Sequence, residues 1–398
     1  MAAMAAALSA ALAAAGCSVS ASNGGPGAGD SAGVTKTEIH IGTSNALTGP
    51  VSSVCLPTSA GASAWFARVN AAGGVHGRKI KSTVLDDGYQ APRAAANVRT
   101  LRSENVFALF GGCGTVTAAT IATTIEGSSL PYLFPYAALS ALVRPTKPNV
   151  YSLLPLYNDQ ARSLIPAALK DKGKGSVYAV TSQIPGYEDD VAGAKAGTAE
   201  AGARFLESAL LPTTNAPFQQ AALKASAANP DYLMLTVLAP DAARMLNAMA
   251  ARDGLAAKGI LGVSVLASQS FADALTPKAA ELLLTASPTV PVDDPRAAEC
   301  LAALRKYEPK TAPDAFALYG CAAAQVFVAA LEQAGAQPTR SKLKQALESI
   351  HDADVSPLLP PVGFSADDHM GLRSMFLLSL KDGRFEVDGT LPIRTDGP

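Results

Sequence analysis

A glycine-rich turn between a predicted strand and a predicted helix is the segment best suited to bind a ligand. It runs Phe110-Gly111-Gly112-Cys113-Gly114-Thr115-Val116-Thr117. Glycines let a ligand approach the backbone closely, and the N–H groups at the start of a helix favour a carboxylate or another anion. The turn lacks the third glycine of a dinucleotide fingerprint and the Gly-Lys-Ser/Thr of a phosphate loop, so nucleotide phosphate is not expected. On this motif alone, a tight turn without any ligand is an equally good interpretation.

Several other loops are predicted to lie near this turn. Leu47-Thr48-Gly49-Pro50 and Pro135-Tyr136-Ala137-Ala138 follow the first and fourth strands of the same half of the chain. Equivalent loops of a second half contain Pro185-Gly186-Tyr187, Leu238 and Ser264. In doubly wound sheets, ligands bind beyond the carboxyl ends of the strands. These loops therefore predict a cleft between two halves.

The elements that carry these loops alternate between strands and helices. The first series contains the strands Glu38–Leu47, Lys79–Asp86, Val106–Phe110 and Pro131–Phe134, with helices at Thr58–Ala72, from Pro92 and from Thr115. After Asn149–Leu154, a second series contains the strands Ser176–Thr181, Ala203–Ala209 and Asp231–Val237, with helices from Asn158, Tyr187, Ala216 and Pro240. The helices Arg296–Tyr307, Asp314–Ala334 and Arg340–Ser349 follow, and then two β-runs at Ser374–Leu380 and Phe385–Val387. Such alternation needs crossover connections, and it predicts an α/β protein with two doubly wound parallel sheets covered by helices.

Length and charge limit the functions that are open to the chain. Its 398 residues are too many for one ordinary core, so two lobes are expected. The net charge is −1 and only 16% of residues are charged, which gives no basic surface of the kind that binds nucleic acid. After the N-terminus, we find no uninterrupted apolar run long enough to span a bilayer.

The N-terminal stretch resembles a bacterial lipoprotein signal. Residues 1–16 are apolar and small, and they end in Ala14-Ala15-Gly16 before Cys17. We expect a signal peptide over 1–16, acylation of Cys17, and a flexible tether over 17–36 that is rich in Ser, Gly and Asn. The alternative is an alanine-rich disordered tail.

The four remaining cysteines predict two disulfides, since an even number in an exported protein favours pairing. We pair Cys55 with Cys113, both expected on loops that follow neighbouring strands, and Cys300 with Cys321 on consecutive helices. Four free buried thiols are the alternative and would suit a cytosolic protein better.

Several strings resemble the leucine/isoleucine/valine-type periplasmic binding protein family. They are Ile41-Gly42 through Leu47-Thr48-Gly49-Pro50, the string from Val69 to Ile80 (Val-Asn-Ala-Ala-Gly-Gly-Val-His-Gly-Arg-Lys-Ile), Asp86-Asp87 with Pro92, and the Gly112–Thr115 turn. The resemblance covers roughly Thr37 to the C-terminus. It implies two α/β lobes joined by three crossovers, with an N-terminal lobe of 37–154 and 289–360 and a C-terminal lobe of 155–288 and 361–398. It also implies an ABC transporter permease as partner.

The resemblance also indicates which residues contact the ligand. Gly114 and Thr115 match the carboxylate-binding turn of the family, and Tyr187 matches its hinge-side tyrosine. Tyr136 and Ala137 match backbone and wall positions of the first lobe. Thr48 and Cys113 lie on the same predicted rim and complete the candidate set there.

Three positions depart from the amino-acid-binding pattern of the family. Ala138 stands where members often have a hydroxyl for the ligand ammonium, Ser264 stands where they have an acidic counter-charge, and Leu238 replaces an aromatic polar residue. A desolvated ammonium without a counter-charge costs several kcal/mol, more than one hydrogen bond returns. We therefore expect a carboxylate with an apolar or aromatic body, or a neutral polar molecule, in preference to a free α-amino acid. An amino-acid-like ligand remains an alternative.

Enzymatic chemistry is not expected. His40, His76, His351 and His369 are scattered, match no HExxH or G-x-S-x-G motif, and are each predicted on the surface. No Cys/His cluster predicts a metal, and no motif predicts a cofactor. Asp86-Asp87 is expected to cap a helix or face water, and the run Glu188-Asp189-Asp190 to stabilise the first turn of its helix.

The sequence thus predicts an extracytoplasmic solute-binding lipoprotein of an ABC importer. We expect a monomer that binds a small molecule, with lipid as its only link to the outer face of the cell membrane; a periplasmic location is the alternative. A ligand-sensing receptor of the same fold is the competing interpretation, and a hydrolase is a weaker one. A neighbouring permease gene would favour transport, and turnover of a bound ligand would favour an enzyme.

Overall fold

The computed structural model describes residues 29–170, 175–253 and 255–395. Its first sheet is parallel throughout and has the strand order β2-β1-β3-β4-β5. The strands of this sheet are β1 (Glu38–Asn45), β2 (Lys79–Asp86), β3 (Ala108–Phe110), β4 (Tyr132–Leu133) and β5 (Val150–Tyr151). The glycine-rich turn therefore leaves the central strand, next to the ends of β1 and β4.

The second sheet has the order β12-β11-β10-β9-β8-β6-β7. Its strands are β6 (Ser176–Gln183), β7 (Arg204–Pro212), β8 (Tyr232–Thr236), β9 (Gly259–Gly262), β10 (Leu283–Ser287), β11 (Ser374–Lys381) and β12 (Arg384–Pro392). Strands β6 to β10 pair in parallel, and β11 and β12 add an antiparallel hairpin at one edge.

Helices cover the sheets and connect parallel strands. They are α1 (Ser52–Ala71), α2 (Ala91–Ser103), α3 (Thr115–Thr124), α4 (Ser140–Val143), α5 (Tyr157–Leu169), α6 (Tyr187–Glu200), α7 (Phe218–Ala228), α8 (Ala239–Asp253), α9 (Gln269–Asp273), α10 (Pro277–Glu281), α11 (Ala298–Tyr307), α12 (Ala315–Ala334) and α13 (Arg340–Glu348). The predicted α/β fold with two parallel-sheet lobes is confirmed.

Helices α1 and α12 cross in close backbone contact in the first lobe. Gly61 lies against the carbonyl of Ala317, and Gly320 lies against the carbonyl of Thr58. Among the described residues, α12 is the one helix long and apolar enough to span a membrane by composition, which the sequence analysis did not expect. It packs inside the lobe, however, with 83% of its most apolar window buried. Its hydropathy is therefore that of a core helix.

Two of the three connections between the lobes run side by side. The N–H of Ser152 donates to the His369 carbonyl (3.0 Å), and the N–H of Gly371 donates to the Ser152 carbonyl (2.7 Å). The His369 ring stacks on Tyr151 with 3.9 Å between ring centroids. His369 is fully buried, so the prediction of a surface histidine was wrong at this position. Its ring fills the space where the two connections meet.

The segment just before β1 is fixed on the first lobe. The N–H of Arg340, at the start of α13, donates to the Asp30 carbonyl (2.8 Å), and the Ser341 N–H donates to Asp30 Oδ1 (3.1 Å). Further along, the His40 N–H donates to the Gly33 carbonyl (2.8 Å). The predicted flexible tether extended to residue 36, but residues 29–36 are held by these contacts. Cys17 and most of that tether lie outside the described residues.

Candidate ligand-binding site

A cavity of about 50 Å³ lies where loops of the two lobes meet. Its lining comes from the ends of strands and the starts of helices: Val51, Val54, Tyr89, Cys113, Gly114, Thr115, Tyr136, Tyr157, Ser182, Ile184, Thr236, Val237, Leu238 and Val265. Five of the ten residues that the sequence analysis proposed as ligand contacts are in this set: Cys113, Gly114, Thr115, Tyr136 and Leu238. Thr48, Ala137, Ala138, Tyr187 and Ser264 are not.

The α3 start supplies the polar edge of the cavity. Gly114 is the N-cap with φ of 111°, a value that favours glycine, and it offers no side chain to cap the helix. The Thr117 hydroxyl donates back to the Cys113 and Gly114 carbonyls (3.3 and 3.1 Å). Thr115 lines the cavity and is buried. This end of α3 is therefore suited to an oxygen-bearing group.

Thr48 does not line the cavity because Asp86 binds it. The Thr48 hydroxyl donates to Asp86 Oδ2 (2.8 Å) and its N–H donates to Oδ1 (3.2 Å). Burial raises the pKa of Asp86, but hydrogen bonds from Thr48, Gly88 and Arg93 outweigh it and lower the pKa to about 2. Thr48 thus fixes the loop after β1 and is exposed to solvent.

Tyr157 lines the cavity, whereas Tyr187 does not. Tyr187 begins α6 with its side chain toward solvent, where a hydrogen bond with Glu188 raises the tyrosine pKa. Tyr157 begins α5, directly after the first connection between the lobes, and its N–H donates to the Ala138 carbonyl (3.2 Å). The sequence analysis missed Tyr157, although a tyrosine at the start of the helix that follows a crossover was the available signal.

Ser264 and Tyr136 form a contact across the cleft. The Tyr136 hydroxyl donates to the Ser264 carbonyl (3.4 Å), and the Ser264 N–H donates to Gln160 Oε1 (2.8 Å). The Ser264 hydroxyl is buried without a hydrogen-bond partner among the described residues. Burial raises the pKa of Tyr136 far above its ordinary value, so its hydroxyl is a neutral donor. Ala137 and Ala138 are also buried. Ala138 contributes its backbone carbonyl, which accepts a hydrogen bond from the Tyr157 N–H.

The structure contains both predicted disulfides. Cys55 pairs with Cys113 at a Cα–Cα distance of 5.2 Å, and Cys300 pairs with Cys321 at 6.3 Å. The second disulfide joins α11 to α12, as expected. The first differs in one respect: Cys55 lies on α1, which begins at Ser52 and contains Pro57, and not on a loop. The first disulfide therefore ties α1 directly to the cavity wall.

Among the described residues, the cavity lining carries hydroxyl groups but no charged side chain. The hydroxyl groups belong to Tyr89, Thr115, Tyr136, Tyr157, Ser182 and Thr236. The Ser182 oxygen accepts from the Leu238 N–H (3.2 Å), which joins the ends of β6 and β8. Apolar side chains such as Ile184, Leu238 and Val265 form the opposite wall. Such a site can hold an apolar body with one oxygen-bearing end.

A larger cavity of about 570 Å³ lies beside α1 in the first lobe. Its lining includes Ser52, Leu56 and Val84 together with residues of the loop before α12. No described residue of β6 to β10 or of the loops between them lines it. Because one lobe alone forms it, closure of the cleft would not enclose a ligand there.

Asp190 is a buried carboxyl group behind the cavity. It is 6% exposed, and its carboxylate has no hydrogen bond or ion pair among the described residues. Burial raises its pKa well above the ordinary value, and the charge of Asp189 adds to the increase. A helix start favours a negative charge by up to about 1 kcal/mol, which does not offset desolvation of a buried carboxylate. The predicted role in stabilising the first turn of α6 thus fits Glu188 and Asp189, which are exposed.

Asp190→Asn is expected to make the protein more stable than the wild type at pH 8. A raised pKa means that the folded state retains a proton that the unfolded state releases, so the wild type loses stability as pH rises above about 4, the ordinary value for an aspartate. Urea unfolding of both proteins from pH 4 to 8 measures the difference, which should grow with pH. Glu188→Gln is the control, with the same charge change at an exposed position of the same helical turn. A difference that shrinks with rising pH would contradict the prediction.

The described residues contain no group of three His, Cys, Asp or Glu side chains placed to hold a metal ion.

Comparisons with known proteins agree with this architecture. A family model described as periplasmic binding protein matches residues 38–384. Comparison with curated protein sequences gives no significant match. A fatty acid ABC transporter substrate-binding protein from Thermomonospora curvata has a similar structure, with TM-score 0.79, 22% identity, and coverage of 92% of this chain and 95% of that one.

Two further solved structures show the same fold. An ABC transporter solute-binding protein from Rhodopseudomonas palustris in complex with benzoate has TM-score 0.77 and 21% identity, covering 90% of this chain and 98% of that one. A possible leucine/isoleucine/valine-binding protein from Rhodopirellula baltica has TM-score 0.75 and 21% identity, covering 89% of this chain and 97% of that one. Members of the matched family are solute-binding proteins and not enzymes. Because the family model spans most of the chain and both lobes have the expected sheets, this protein belongs to the type I periplasmic binding protein family.

Proposed function

We propose that the protein captures a small carboxylate with an apolar or aromatic body in the cavity between its lobes. The observation that carries this proposal is the composition of the lining: an uncapped helix start and hydroxyl groups on one side, apolar side chains on the other, and no charged group. A neutral polar molecule satisfies the same groups less fully, because it does not use the helix start as an anion site.

A free α-amino acid is disfavoured by the same lining. Its ammonium group needs a counter-charge or several acceptors once it is removed from water. The described residues that line the cavity, such as Leu238, Tyr157 and Thr236, provide no charge. The Rhodopseudomonas palustris relative holds benzoate, a carboxylate on an aromatic ring, which supports this ligand class for the present chain.

Ligand entry requires the lobes to separate. The cavity of about 50 Å³ is below the 300 Å³ or more that is usual for small-molecule sites. The Tyr136–Ser264 hydrogen bond closes the cleft on one side. Opening would take place at the three connections, near residues 154, 288 and 370, and closure on the ligand would present the protein to its partner.

We propose an ABC importer permease as that partner and a lipid on Cys17 as the membrane link. The substrate-binding proteins among the structural relatives support a transport role, and the two disulfides suit an oxidising compartment outside the cytoplasm. The body would act as a monomer. Mass spectrometry of the protein isolated from membranes tests acylation of Cys17. If Cys17 is acylated, the mass of the N-terminal peptide exceeds the mass calculated from its sequence by the mass of the lipid.

A thermal-shift screen of the protein from Gly29 onward tests the ligand class. Benzoate, 4-hydroxybenzoate and a medium-chain fatty acid are compared with benzamide, benzylamine and leucine. A carboxylate at 100 times its Kd should stabilise the protein by about 2.7 kcal/mol, whereas benzylamine should have no effect.

Two variants link binding to the predicted cavity. Thr115→Val removes the hydroxyl at the α3 start and is expected to weaken carboxylate binding about tenfold, the worth of roughly 1.4 kcal/mol for one hydrogen bond. Thr123→Val, on the exposed side of the same helix, is the matched control. Leucine binding with micromolar affinity, or equal loss in both variants, would refute the proposal.

A further inference from the structure

Tyr89 lines the cavity although no sequence pattern indicated it. It lies in the loop between β2 and α2 with φ of 63°, in the left-handed region that residues with a side chain rarely adopt. Its N–H donates to Asp87 Oδ1 (2.9 Å), and the Ser44 hydroxyl donates to Asp87 Oδ2 (2.8 Å). Asp87 is fully buried, contrary to the expectation that it faces water or caps a helix. A buried carboxylate therefore holds the Tyr89 backbone in this conformation.

The Tyr89 side chain lies on the start of α3. A β-carbon added to Gly114 would lie 2.8 Å from both Cδ2 and Cε2 of the Tyr89 ring, so the ring rests directly on that glycine. The backbone N–H of Val116, in the first turn of α3, lowers the pKa of the Tyr89 phenol and so opposes burial, which raises that pKa to about 12. The phenol thus provides an aromatic ring with one oxygen at the helix start, which has no other cap from its own N-cap residue.

This placement matches the chemistry proposed for the ligand, and the inference rests on that proposed function. A ligand carboxylate needs the N–H groups at the α3 start, and the Tyr89 ring already covers Gly114, the N-cap of that helix. An apolar body needs volume, and only about 50 Å³ is free beside the Tyr89 ring.

We propose that Tyr89 is an internal stand-in for the ligand, which an aromatic or apolar carboxylate displaces from the α3 start. Residue 89 then sets both the affinity of the site and the size of the ligand that it admits. The Asp87–Ser44 contacts anchor the loop while the side chain moves. The contrary arrangement, in which the Tyr89 hydroxyl stays and donates to the ligand, makes opposite predictions for the two variants below.

Tyr89→Gly tests whether the Tyr89 ring occupies a ligand site, and the test does not require the natural ligand to be known. Glycine adopts the left-handed φ freely, so the backbone is preserved while a phenol-sized space is left. Phenol, toluene and benzoate are the probes, and thermal shift and calorimetry are the readouts. Phenol and benzoate should stabilise the variant, with benzoate binding at least tenfold more tightly than toluene. Phe218→Ala, which removes a half-buried ring from α7 away from the cavity, is the control and should not respond to phenol.

Tyr89→Phe tests whether the phenol oxygen of Tyr89 competes with a ligand carboxylate. The variant keeps the ring but removes the phenol oxygen, so benzoate meets less competition for the N–H groups at the α3 start and should bind at least threefold more tightly than to the wild type. Weaker benzoate binding by Tyr89→Phe would overturn the proposal, because it would show that the hydroxyl contacts the ligand. So would a Tyr89→Gly variant that is folded by circular dichroism but binds none of the probes, or that binds toluene as tightly as benzoate.

The two proposals fail separately. If the wild type binds carboxylates but Tyr89→Gly gains no aromatic binding, Tyr89 is not a stand-in and the proposed function stands. If the wild type and Tyr89→Phe bind no carboxylate while phenol stabilises Tyr89→Gly, the ring fills a real site and the proposed ligand class is wrong.

Discussion

Replacing Cys55 and Cys113 together by alanine is expected to lower the free energy of unfolding by about 4 kcal/mol and to weaken ligand binding. The disulfide spans a sequence separation of 58, and in the chain-entropy model a loop of that length accounts for this loss. Binding weakens because Cys113 lines the cavity and Cys55 fixes α1 against it. Urea unfolding and benzoate titration of the double variant measure the two effects.

The other disulfide provides the matched control. Cys300→Ala with Cys321→Ala opens a separation of 21 and is expected to cost about 3 kcal/mol. Neither of these cysteines lines the cavity between the lobes, so binding by the folded protein should be unchanged. Equal loss of binding in the two double variants would show that global stability, and not the cavity wall, controls affinity.

Gly320→Ala is expected to destabilise the protein by about 3 kcal/mol, the upper range for overpacking a core. In an exposed helix, replacing glycine by alanine stabilises the protein by about 1 kcal/mol. The sign of the change in unfolding free energy therefore shows whether the glycine is exposed or closely packed. At Gly320 the added methyl group would overlap the Thr58 carbonyl of α1, and backbone atoms cannot rotate away as side chains do. Helices α1 and α12 must then separate, and with them the main packing of the first lobe. Equilibrium urea unfolding measures the change.

Gly61→Ala creates the reciprocal overlap with the Ala317 carbonyl and should give a similar loss. Ser63→Ala, on the exposed side of α1, is the control and should remain within about 0.5 kcal/mol of the wild type. A Gly320→Ala variant more stable than the wild type would contradict the close crossing of these helices.

The fold was predictable because strands and helices differ in the period of their hydrophobic residues, and this period can be read from a short stretch of sequence. Helix α3 begins at Thr115, and β2 spans Lys79–Asp86, both as expected. The prediction was weakest over residues 256–287, where β9, α9, α10 and β10 are only four or five residues long. Such short elements show too few repeats for a period to be recognised. Helix α1 was predicted to begin at Thr58, whereas it begins at Ser52 and contains Pro57.

The candidate site was less predictable because the direction of a loop side chain depends on backbone angles and on distant partners. The Thr48 side chain forms a hydrogen bond with Asp86 and does not reach the cavity. The Tyr89 side chain lines the cavity, and this residue has a positive φ. Neither property has a sequence period. The glycine-rich turn was recognised, in contrast, because glycine is the residue type that adopts a positive φ most readily, and Gly114 has such a φ.

If Cys17 carries lipid, the contacts of Asp30 with the start of α13 limit how far the body can move from the membrane. In that case, the chain from Cys17 to the fixed segment beginning at residue 29 can span at most about 40 Å, even when fully extended. The binding lobes would then be confined to a thin layer above the bilayer. Confinement of this kind raises the effective concentration of the protein at a permease in the same membrane, without any additional contact between the two.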